Sequence, residues 1–299
     1  MYQMPTRLEN GNIIHLPNKL KWSIQGHSKA GERTGFWLEP LKIVLDAGLS
    51  TYKSPKAIFI THSHTDHSTH IPDIYTTRTK PYKGQEHLIG RPLISPMYAI
   101  PIIEKMLDSI VDLANGELDY CKRHNKNIWE VQATHPIGVE IGETYEIAGL
   151  SNIKVEILQG YHSVLSVGYG FSVIHNKLKD EYKNKLKNEI IELKKNNIEI
   201  TEQFLTPQLA FYGDTTVKSL TNHDEWKKYP VIIIECTLFA DNINSNQQHE
   251  HTHWNDIKQI IESNQSNYFV LIHTSMSVDN DYLTNLENNE TFKNFTFFK

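Results

Sequence analysis

The segment from residue 62 to residue 68 constrains this chain more than any other feature. It reads His-Ser-His-Thr-Asp-His-Ser and follows the apolar run Ala57-Ile58-Phe59-Ile60 after a single threonine. An apolar run that ends in such a cluster predicts a buried strand with metal ligands at its C-terminal end. Imidazole and carboxylate groups suit zinc and similar divalent ions, and an ion with an open coordination position can activate water. A histidine-rich polar loop is the plainer alternative, which the preceding apolar run disfavours.

Four further apolar segments end in a residue of the same chemical kind. The residues at or just after these segments are Asp46, His162, Asp214 and His273. A lone histidine at a strand end is more often hydrogen-bonded than metal-bound, and an aspartate in Gly-Asp-Thr is as often a turn residue. Their occurrence together with the 62–67 cluster favours a shared metal centre over these separate explanations.

The motif H-x-H-x-D-H after an apolar strand, followed by these strand ends in this order, resembles the signature of the metallo-β-lactamase fold superfamily. The resemblance implies an α/β fold, specifically an αββα sandwich of two mixed sheets flanked by helices. The implied ligand sets are His62, His64 and His162 for one ion, Asp66, His67 and His273 for a second, and Asp214 as the bridge between them. Asp46 is implied to brace the ligands from behind. The implied cofactor is two divalent metal ions, with zinc favoured.

Two later segments resemble one branch of this superfamily, ribonuclease Z. Residues 162–171 contain a histidine followed by a Ser-x-Gly-Tyr element, as in that enzyme. Residues 231–239 and 250–254 are similar to its paired glutamate and histidine motifs. The resemblance implies that Glu235 orients His251 and that His251 acts as general acid, since a departing alkoxide needs a proton.

Taken as a whole, the resemblance implies a metal-dependent phosphodiester hydrolase that removes 3′ trailers from tRNA endonucleolytically. Asp66 would help to orient the attacking water, precursor tRNA would be the partner, and the assembly would be a homodimer. One alternative is a small-substrate hydrolase of the same fold, such as a β-lactamase, a lactonase or a cyclic-nucleotide phosphodiesterase. It leaves Glu235 and His251 without a role. A non-catalytic scaffold that binds metal or RNA is the other alternative, which the complete ligand set disfavours.

Residues 176–197 form a lysine-rich segment between the His162 and Asp214 motifs. Apolar residues recur there at helical spacing, which predicts an amphipathic helical insertion with a basic outer face. The predicted RNA contacts on that face are Lys177, Lys179, Lys183 and Lys187. In ribonuclease Z this interval carries an arm that grips the tRNA elbow, whereas here it is short and lacks a glycine- and proline-rich tip. An ordinary solvated surface helix is the alternative.

Two more helices are predicted from periodicity and capping. Apolar residues repeat at helical spacing over 100–118, which indicates a helix in the core or at a dimer face. Thr252 precedes Asn255, Ile257, Ile260 and Ile261, so a second helix is predicted to begin with Thr252 as its N-cap.

Composition sets the outer limits of these expectations. A chain of 299 residues with 39% hydrophobic content can bury one substantial core, which favours a single domain over residues 1–299. A net charge of −5 does not by itself indicate RNA binding. The sequence predicts neither a signal peptide nor a membrane helix, which needs about 18 apolar residues. Two distant cysteines, Cys121 and Cys236, are too few for a disulfide scaffold, so an intracellular, cytoplasmic location is expected by default.

Overall fold

The computed structural model describes residues 5–17, 21–75, 92–115, 136–147, 149–239 and 250–299, and these residues form two β-sheets. The first sheet contains β1 (Asn12–His15), β2 (Ser23–Lys29), β3 (Arg33–Glu39), β4 (Ile43–Ala47), β5 (Ile58–Phe59), β6 (Leu93–Pro96) and β7 (Ile137–Val139). The second sheet contains β8 (Thr144–Glu146), β9 (Ile153–Gln159), β10 (Val167–Leu178), β11 (Thr201–Tyr212), β12 (Val231–Glu235), β13 (Tyr268–Ile272) and β14 (Phe295–Phe297).

Both sheets are mixed in the same way. The strands from β1 to β4 pair antiparallel, and those from β4 to β7 pair parallel. The second sheet repeats this arrangement, antiparallel from β8 to β11 and parallel from β11 to β14. Because neighbouring parallel strands run in one direction, their C-terminal ends share an edge of each sheet. His62, Asp214 and His273 follow three of these ends, those of β5, β11 and β13.

The hydrophobic core lies between the two sheets. Phe59 from the first sheet makes edge-to-face contacts with Tyr169 and Phe171 of the second, with ring centroids 5.0 and 5.3 Å apart. On β13, Val270 and Ile272 join this central core, while the intervening residues face a second cluster on the outside. Successive side chains of a strand point to opposite faces, and each fully buried aliphatic or aromatic side chain stabilises the fold by about 1.5–3 kcal/mol. The apolar runs of the sequence therefore become strands that are buried on both faces.

Helices cover the outer faces of both sheets. The α-helices are α1 (Thr65–Ser68), α2 (Ile71–Tyr75), α3 (Ile100–Asn115), α4 (Lys187–Lys195), α5 (Lys218–Thr221), α6 (Trp254–Ser263) and α7 (Asn280–Asn289). Residues of α2 and α3 pack on the first sheet, and residues of α6 and α7 pack on the second. The predicted αββα layer order is confirmed. Within the described ranges, none of the helices has both the length and the apolar character needed to traverse a bilayer.

The lysine-rich segment differs from its predicted helix. Strand β10 runs on to Leu178, so Lys177 lies on a strand, and the α-helix begins only at Lys187. Beyond the pairing of Val173 with β9, β10 and β11 continue as a two-stranded ribbon with α4 at its far end. None of the side chains of α4 is buried. The helical spacing in the sequence was misleading because the ribbon's pairing partner, residues 201–206, lies far along the chain.

Charges on this ribbon are partly paired, which bears on the predicted RNA contacts. Lys177 Nζ lies 2.8 Å from Glu202 Oε1, and Lys183 Nζ lies 2.6 Å from Asp180 Oδ1. Lys179 lies between β10 and a short 3-10 turn, and Lys187 is the first residue of α4. The structure thus places two of the four lysines against carboxylates, which lowers the positive charge that they present to a phosphate.

One other sequence prediction differs in detail from the structure. The N-cap of α6 is His253, whose side chain accepts a hydrogen bond from the Asn255 amide, so the prediction of Thr252 as the cap is wrong. Thr252 instead donates its hydroxyl to the Thr215 carbonyl. Helix α3 is described from Ile100 to Asn115, and the last three residues of the predicted helix lie outside the described residues. Cys121 also lies outside them, and Cys236 is a buried free thiol.

Candidate metal centre

The seven predicted ligands come together where the strand ends of the two sheets meet. Their side chains form two overlapping groups, and within each group the candidate ligand atoms lie within 4.8 Å of one another. The first group is His62, His64, His162 and Asp214. The second group is Asp66, His67, Asp214 and His273. Each group draws residues from both sheets, and Asp214 belongs to both.

Asp214 is placed to bridge the two groups because its two oxygens face in different directions. Its Oδ2 lies 3.9 Å from Nε2 of His62 and of His162. Its Oδ1 lies 3.1 Å from His67 Nε2 and 3.3 Å from His273 Nε2. Asp214 follows β11, and the adjacent Gly213 is required because a Cβ there would lie 2.2 Å from Thr61 Oγ1.

Asp46 supports two of the histidines from beneath the site. Its Oδ2 accepts a 2.8 Å hydrogen bond from His67 Nδ1, and its carboxylate accepts bonds from both the amide and the hydroxyl of Thr61. Thr61 Oγ1 lies 3.0 Å from His62 Nδ1. Because the Thr61 hydroxyl proton is used on a carboxylate, Oγ1 can only accept from Nδ1, which leaves His62 Nε2 unprotonated and directed at the site. Asp46 thus orients His67 directly and His62 through Thr61.

His162 is held from the opposite side by the chain segment that carries His251. Its Nδ1 lies 2.8 Å from the Glu250 carbonyl, which can only accept, so Nδ1 carries the proton. The other ring nitrogen, Nε2, lies 3.1 Å from His64 Nδ1 within the first ligand group. His64 immediately precedes α1, so the turn into this short helix sets the spacing between His64 and His67.

Glu235 is a fully buried carboxylate at the end of β12, and it accepts hydrogen bonds from three threonines that lie apart in the sequence. Its oxygens accept from the amides of Thr215 and Thr252, at 2.5 and 3.2 Å. The hydroxyl of Thr237 donates to Oε2 at 2.5 Å. These donors provide hydrogen bonds to a polar group that is buried away from water.

His251 is bound to Glu235 but remains reachable from outside. Its Nδ1 lies 3.1 Å from both carboxylate oxygens, and its side chain is 30% exposed. Its ring lies beside those of His162 and His273, with centroids 5.0 and 5.5 Å away. Burial would lower the pKa of His251, but the hydrogen bond and charge of Glu235 outweigh it and raise the pKa to about 9. In the metal-free protein His251 is therefore protonated, and it lies at the edge of the two ligand groups.

Burial and neighbouring charges also shift the pKa values of the candidate ligands. Burial, followed by the charge of His67, lowers the pKa of His62 well below its usual range, so His62 is neutral and ready to bind a cation. Burial acts in the same direction on His67, but Asp214 and Asp46 outweigh it and raise its pKa well above the usual range. Burial would raise the pKa of Asp214, yet His67 and His273 hold it well below the usual value. In the metal-free protein Asp214 is therefore ionised and His62 is neutral, which is the state in which both side chains can bind a cation.

Two site residues have a backbone conformation that amino acids other than glycine seldom adopt. Asp46 has φ +55° and His273 has φ +57°. Such residues are enriched at functional sites, where the surrounding structure holds a strained conformation. His273 is held by the Ser28 hydroxyl, which accepts from its amide at 2.9 Å, and by Thr237, which contacts its carbonyl oxygen at 2.8 Å.

The arrangement of the seven candidate ligands is itself suited to binding divalent metal ions. His62 Nε2, His67 Nε2 and Asp214 Oδ1 are buried and have no hydrogen-bond partner among the described residues, although the last two atoms approach to 3.1 Å. A buried polar atom without a partner costs about 1–3 kcal/mol. A cation in each group would satisfy all three atoms, and imidazole with carboxylate is a donor set that zinc, manganese and iron accept.

Sequence reasoning missed the threonines that connect the ligands to the buried carboxylates. Thr61 and Thr237 form these connections, and Thr215 contributes its amide to Glu235. Each lies next to, or two residues from, a residue that was singled out, which is the only signal that the sequence offers. Threonine is common at strand ends for other reasons, so adjacency alone did not identify them.

Comparison with known proteins places this geometry in a family. No protein-family model matches the chain. It is 30% identical to tRNase Z TRZ1 of Arabidopsis thaliana over 261 residues, which cover 85% of each protein. It is 28% identical to the chloroplastic tRNase Z TRZ2 of the same plant over 248 residues, 81% of this chain and 63% of the relative.

A solved structure supports the fold independently. The metallo-β-lactamase fold protein YhfI from Bacillus subtilis superposes with a TM-score of 0.50 and 12% identity, over 91% of this chain and 93% of that one. At this identity the match concerns the fold alone. The sequence match to tRNase Z TRZ1 extends over most of both proteins, and the chain therefore belongs to the tRNase Z family.

Proposed function

We propose that the protein is a dinuclear, zinc-dependent endoribonuclease that removes 3′ trailers from precursor tRNA. The observation that carries the proposal is the Glu235–His251 pair beside the two ligand groups. A metal centre alone serves many hydrolases, but a carboxylate-held imidazole at its rim supplies a proton for a departing alkoxide. The names of the plant relatives, both tRNase Z proteins, support tRNA as the substrate.

Two ions would be held by the two ligand groups, with Asp214 shared between them. Bound there, divalent ions supply the activation of the attacking water and the neutralisation of charge on the phosphate. Zinc is proposed because neutral imidazole and carboxylate are among its preferred ligands. Elemental analysis of the purified protein tests both the identity of the metal and the count of two per chain.

Asp66 is proposed to orient the attacking water. Its Oδ2 lies 3.5 Å from His67 Nε2 and 3.4 Å from His273 Nε2, so it belongs to the second ligand group. Its side chain is 17% exposed, which leaves room for it to accept a hydrogen bond from an incoming water. The water's oxygen would thereby be directed at phosphorus, and the displaced proton would pass towards the carboxylate.

His251 is proposed to protonate the leaving group. Since Nδ1 is committed to Glu235, the proton available to substrate is the one on Nε2. As water adds to phosphorus and the bond between phosphorus and the ribose 3′ oxygen breaks, this proton passes to the departing oxygen, leaving a 3′ hydroxyl on the tRNA. His251 then regains a proton from solvent, to which its ring is exposed.

Four wider features are proposed rather than shown. A homodimer would have an apolar surface to bury on α3, where the side chains of Ile102 and Leu113 are 60% and 77% exposed. Light scattering on the purified protein tests this assembly. The single domain over residues 1–299 and the cytoplasmic location stay predictions. So does RNA contact by Lys177, Lys179, Lys183 and Lys187, which would appear as a shallower salt dependence of RNA binding when the lysines are removed.

The decisive experiment is cleavage of a 3′-extended precursor tRNA by the zinc-loaded protein. We expect one discrete cut after the discriminator base, abolished in His64→Ala together with metal content. His15→Ala is the matched control, because His15 lies exposed on β1. A cyclic nucleotide is assayed in parallel. Hydrolysis of that small phosphodiester without cleavage of the tRNA would contradict the proposal and favour a small-substrate hydrolase.

A further inference from the structure

We propose that Thr237 is a positioning residue that fixes the ring tautomer of His273 and links this ligand to the Glu235–His251 pair. The inference rests on the proposed function, because it takes His273 as a metal ligand and His251 as the proton donor. Thr237 follows β12 and is buried, with 5% of its surface exposed. It touches neither substrate nor metal in this role and acts through its neighbours.

The hydroxyl of Thr237 makes three polar contacts. Its Oγ1 lies 2.5 Å from Glu235 Oε2, 2.8 Å from the His273 carbonyl oxygen and 3.0 Å from His273 Nδ1. It therefore contacts the carboxylate that holds His251 and both the backbone and the ring of His273. Within the described residues, it is the one side chain placed to hold His273 by both its carbonyl oxygen and its ring.

The donors and acceptors determine where the protons lie. A threonine hydroxyl has one proton, and both the carboxylate and the carbonyl oxygen of its neighbours can only accept. That proton is therefore spent on oxygen, and the contact with His273 Nδ1 must have the ring as donor. With the proton of this contact on Nδ1, Nε2 is the ring nitrogen left to bind a cation, and it lies 3.4 Å from Asp66 Oδ2 and 3.3 Å from Asp214 Oδ1. This is the tautomer that a metal ligand needs.

The first sheet contains an independent example of the same arrangement. There the Thr61 hydroxyl donates to Asp46 at 3.0 Å and lies 3.0 Å from His62 Nδ1. In both places a buried carboxylate takes the hydroxyl proton, and the hydroxyl oxygen accepts from the ring. In each place the carboxylate also binds a second histidine, which is His67 on the first sheet and the proton donor His251 on the second. Thr237 thereby fixes the position of the proton donor relative to a ligand of the centre.

The test uses two variants that differ in one functional group. Thr237→Val keeps the side-chain shape and removes the hydroxyl, whereas Thr237→Ser keeps the hydroxyl and removes a methyl group. Three readouts are compared with the unsubstituted protein. They are the ring tautomer of His273 from ¹⁵N spectra of histidine-labelled protein, the zinc affinity in competition with a chelator, and kcat and KM on precursor tRNA.

We expect the proton of His273 on Nδ1 in the unsubstituted protein and in Thr237→Ser. In Thr237→Val we expect zinc affinity to fall about 10- to 100-fold, as for the loss of other hydrogen bonds that orient metal ligands. At saturating zinc, kcat should fall while KM stays near its original value, because the change misplaces His251 and leaves RNA contacts intact. Recovery of both properties in Thr237→Ser would separate positioning from packing.

Several outcomes would overturn the inference. An unprotonated Nδ1 of His273 in the zinc-loaded, unsubstituted protein would do so without any variant. So would zinc affinity and kcat in Thr237→Val equal to those of the unsubstituted protein. His273→Ala separates this failure from failure of the proposed function. If His273→Ala loses one zinc ion while Thr237→Val behaves normally, only the role of Thr237 is wrong. If His273→Ala keeps both ions, the ligand assignment fails and takes the inference with it.

Discussion

A buried carboxylate, a threonine hydroxyl and two histidines occur on each sheet, and the two sets differ in what surrounds the histidine bound directly to the carboxylate. On the first sheet this histidine is His67, fully buried against Asp46 with its Nε2 directed at Asp214. On the second sheet it is His251, bound to Glu235 but 30% exposed. One arrangement of hydrogen bonds thus serves two purposes, since burial makes the histidine a ligand and exposure makes it available to substrate.

The comparison also shows why the two carboxylates are not interchangeable. Burial raises the pKa of Asp46, and its donors are His67 and Thr61. Asp46 receives one backbone amide, from Thr61, whereas Glu235 receives two, in addition to a hydroxyl and an imidazole. Backbone donors cannot be removed by a side-chain substitution, so Glu235 should keep more of its hydrogen bonds than Asp46 when a neighbouring side chain is changed.

The largest expected effect follows removal of the Asp46 carboxylate. Asp46→Ala leaves His67 buried without its partner, and breaking a buried pair in this way lowers the free energy of unfolding by about 3–5 kcal/mol. His62 also loses its support through Thr61, so we expect zinc and activity to be lost together. Chemical denaturation and elemental analysis measure the two effects. Asp46→Asn, which tolerates the same backbone conformation, is the matched variant and should retain part of the zinc. Full zinc occupancy in Asp46→Ala would refute the supporting role.

Removing the exposed histidine, His251, should abolish most of the activity without loss of metal or stability, in contrast to the removal of Asp46. His251→Ala is expected to keep the bound metal and the stability of the protein, while kcat on precursor tRNA falls about 10²- to 10⁴-fold, the usual range for a general acid. Single-turnover cleavage and elemental analysis on the same preparation test this. Loss of zinc in this variant would mean that His251 belongs to the ligand set, and the contrast between the two sheets would disappear.

A smaller effect is expected on the pH dependence of cleavage when Glu235 loses its charge. The carboxylate raises the pKa of His251 to about 9 in the metal-free protein, and bound cations lower it from that value. A general acid must be protonated, so kcat/KM should fall as the pH rises through this pKa. In Glu235→Gln the pKa of His251 is lower, and the fall in activity should begin at a lower pH. An unchanged alkaline limb would assign the proton donor to another group.

The smallest expected effect is a count of protons released when metal binds. Asp214 and Asp46 outweigh burial and keep the pKa of His67 well above its usual range in the metal-free protein, whereas that of His62 is well below it. Zinc should therefore displace about one proton from His67 and none from His62. Calorimetry in buffers of different ionisation enthalpy measures the number. Asp46→Asn should reduce it, and an equal count in both proteins would contradict the assignment to His67.

The sequence predicted the parts of the centre that depend on strand ends. His62, Asp214 and His273 each follow an apolar run, and parallel strands bring such ends to one edge of a sheet. The fold and the family were predicted correctly from the same residues, because the H-x-H-x-D-H motif and the distal strand ends occur in a fixed order. Each of these features is a short contiguous segment of the chain, so hydrophobic periodicity and motif spacing were sufficient to predict the fold and the family.

Features that depend on distant hydrogen bonds were not predictable in this way. The role of Thr61 becomes visible only when Asp46 is placed 2.8 Å from its amide. The lysine-rich segment was assigned as one helix because the pairing of β10 with residues 201–206 cannot be read from residues 176–197 themselves. His253 replaced Thr252 as a helix cap for a similar reason, since Thr252 is already bonded to Thr215.

The division of the ligands between the two sheets has a consequence beyond catalysis. His62, His64 and His67 belong to one layer of the sandwich, whereas His162 and His273 belong to the other. Each bound ion would therefore connect the two sheets. An ion present at 100 times its dissociation constant would stabilise the folded chain by about 2.7 kcal/mol. Loss of the metal would then make the folded chain easier to open and to digest, so it would shorten the lifetime of the protein as well as stop its activity.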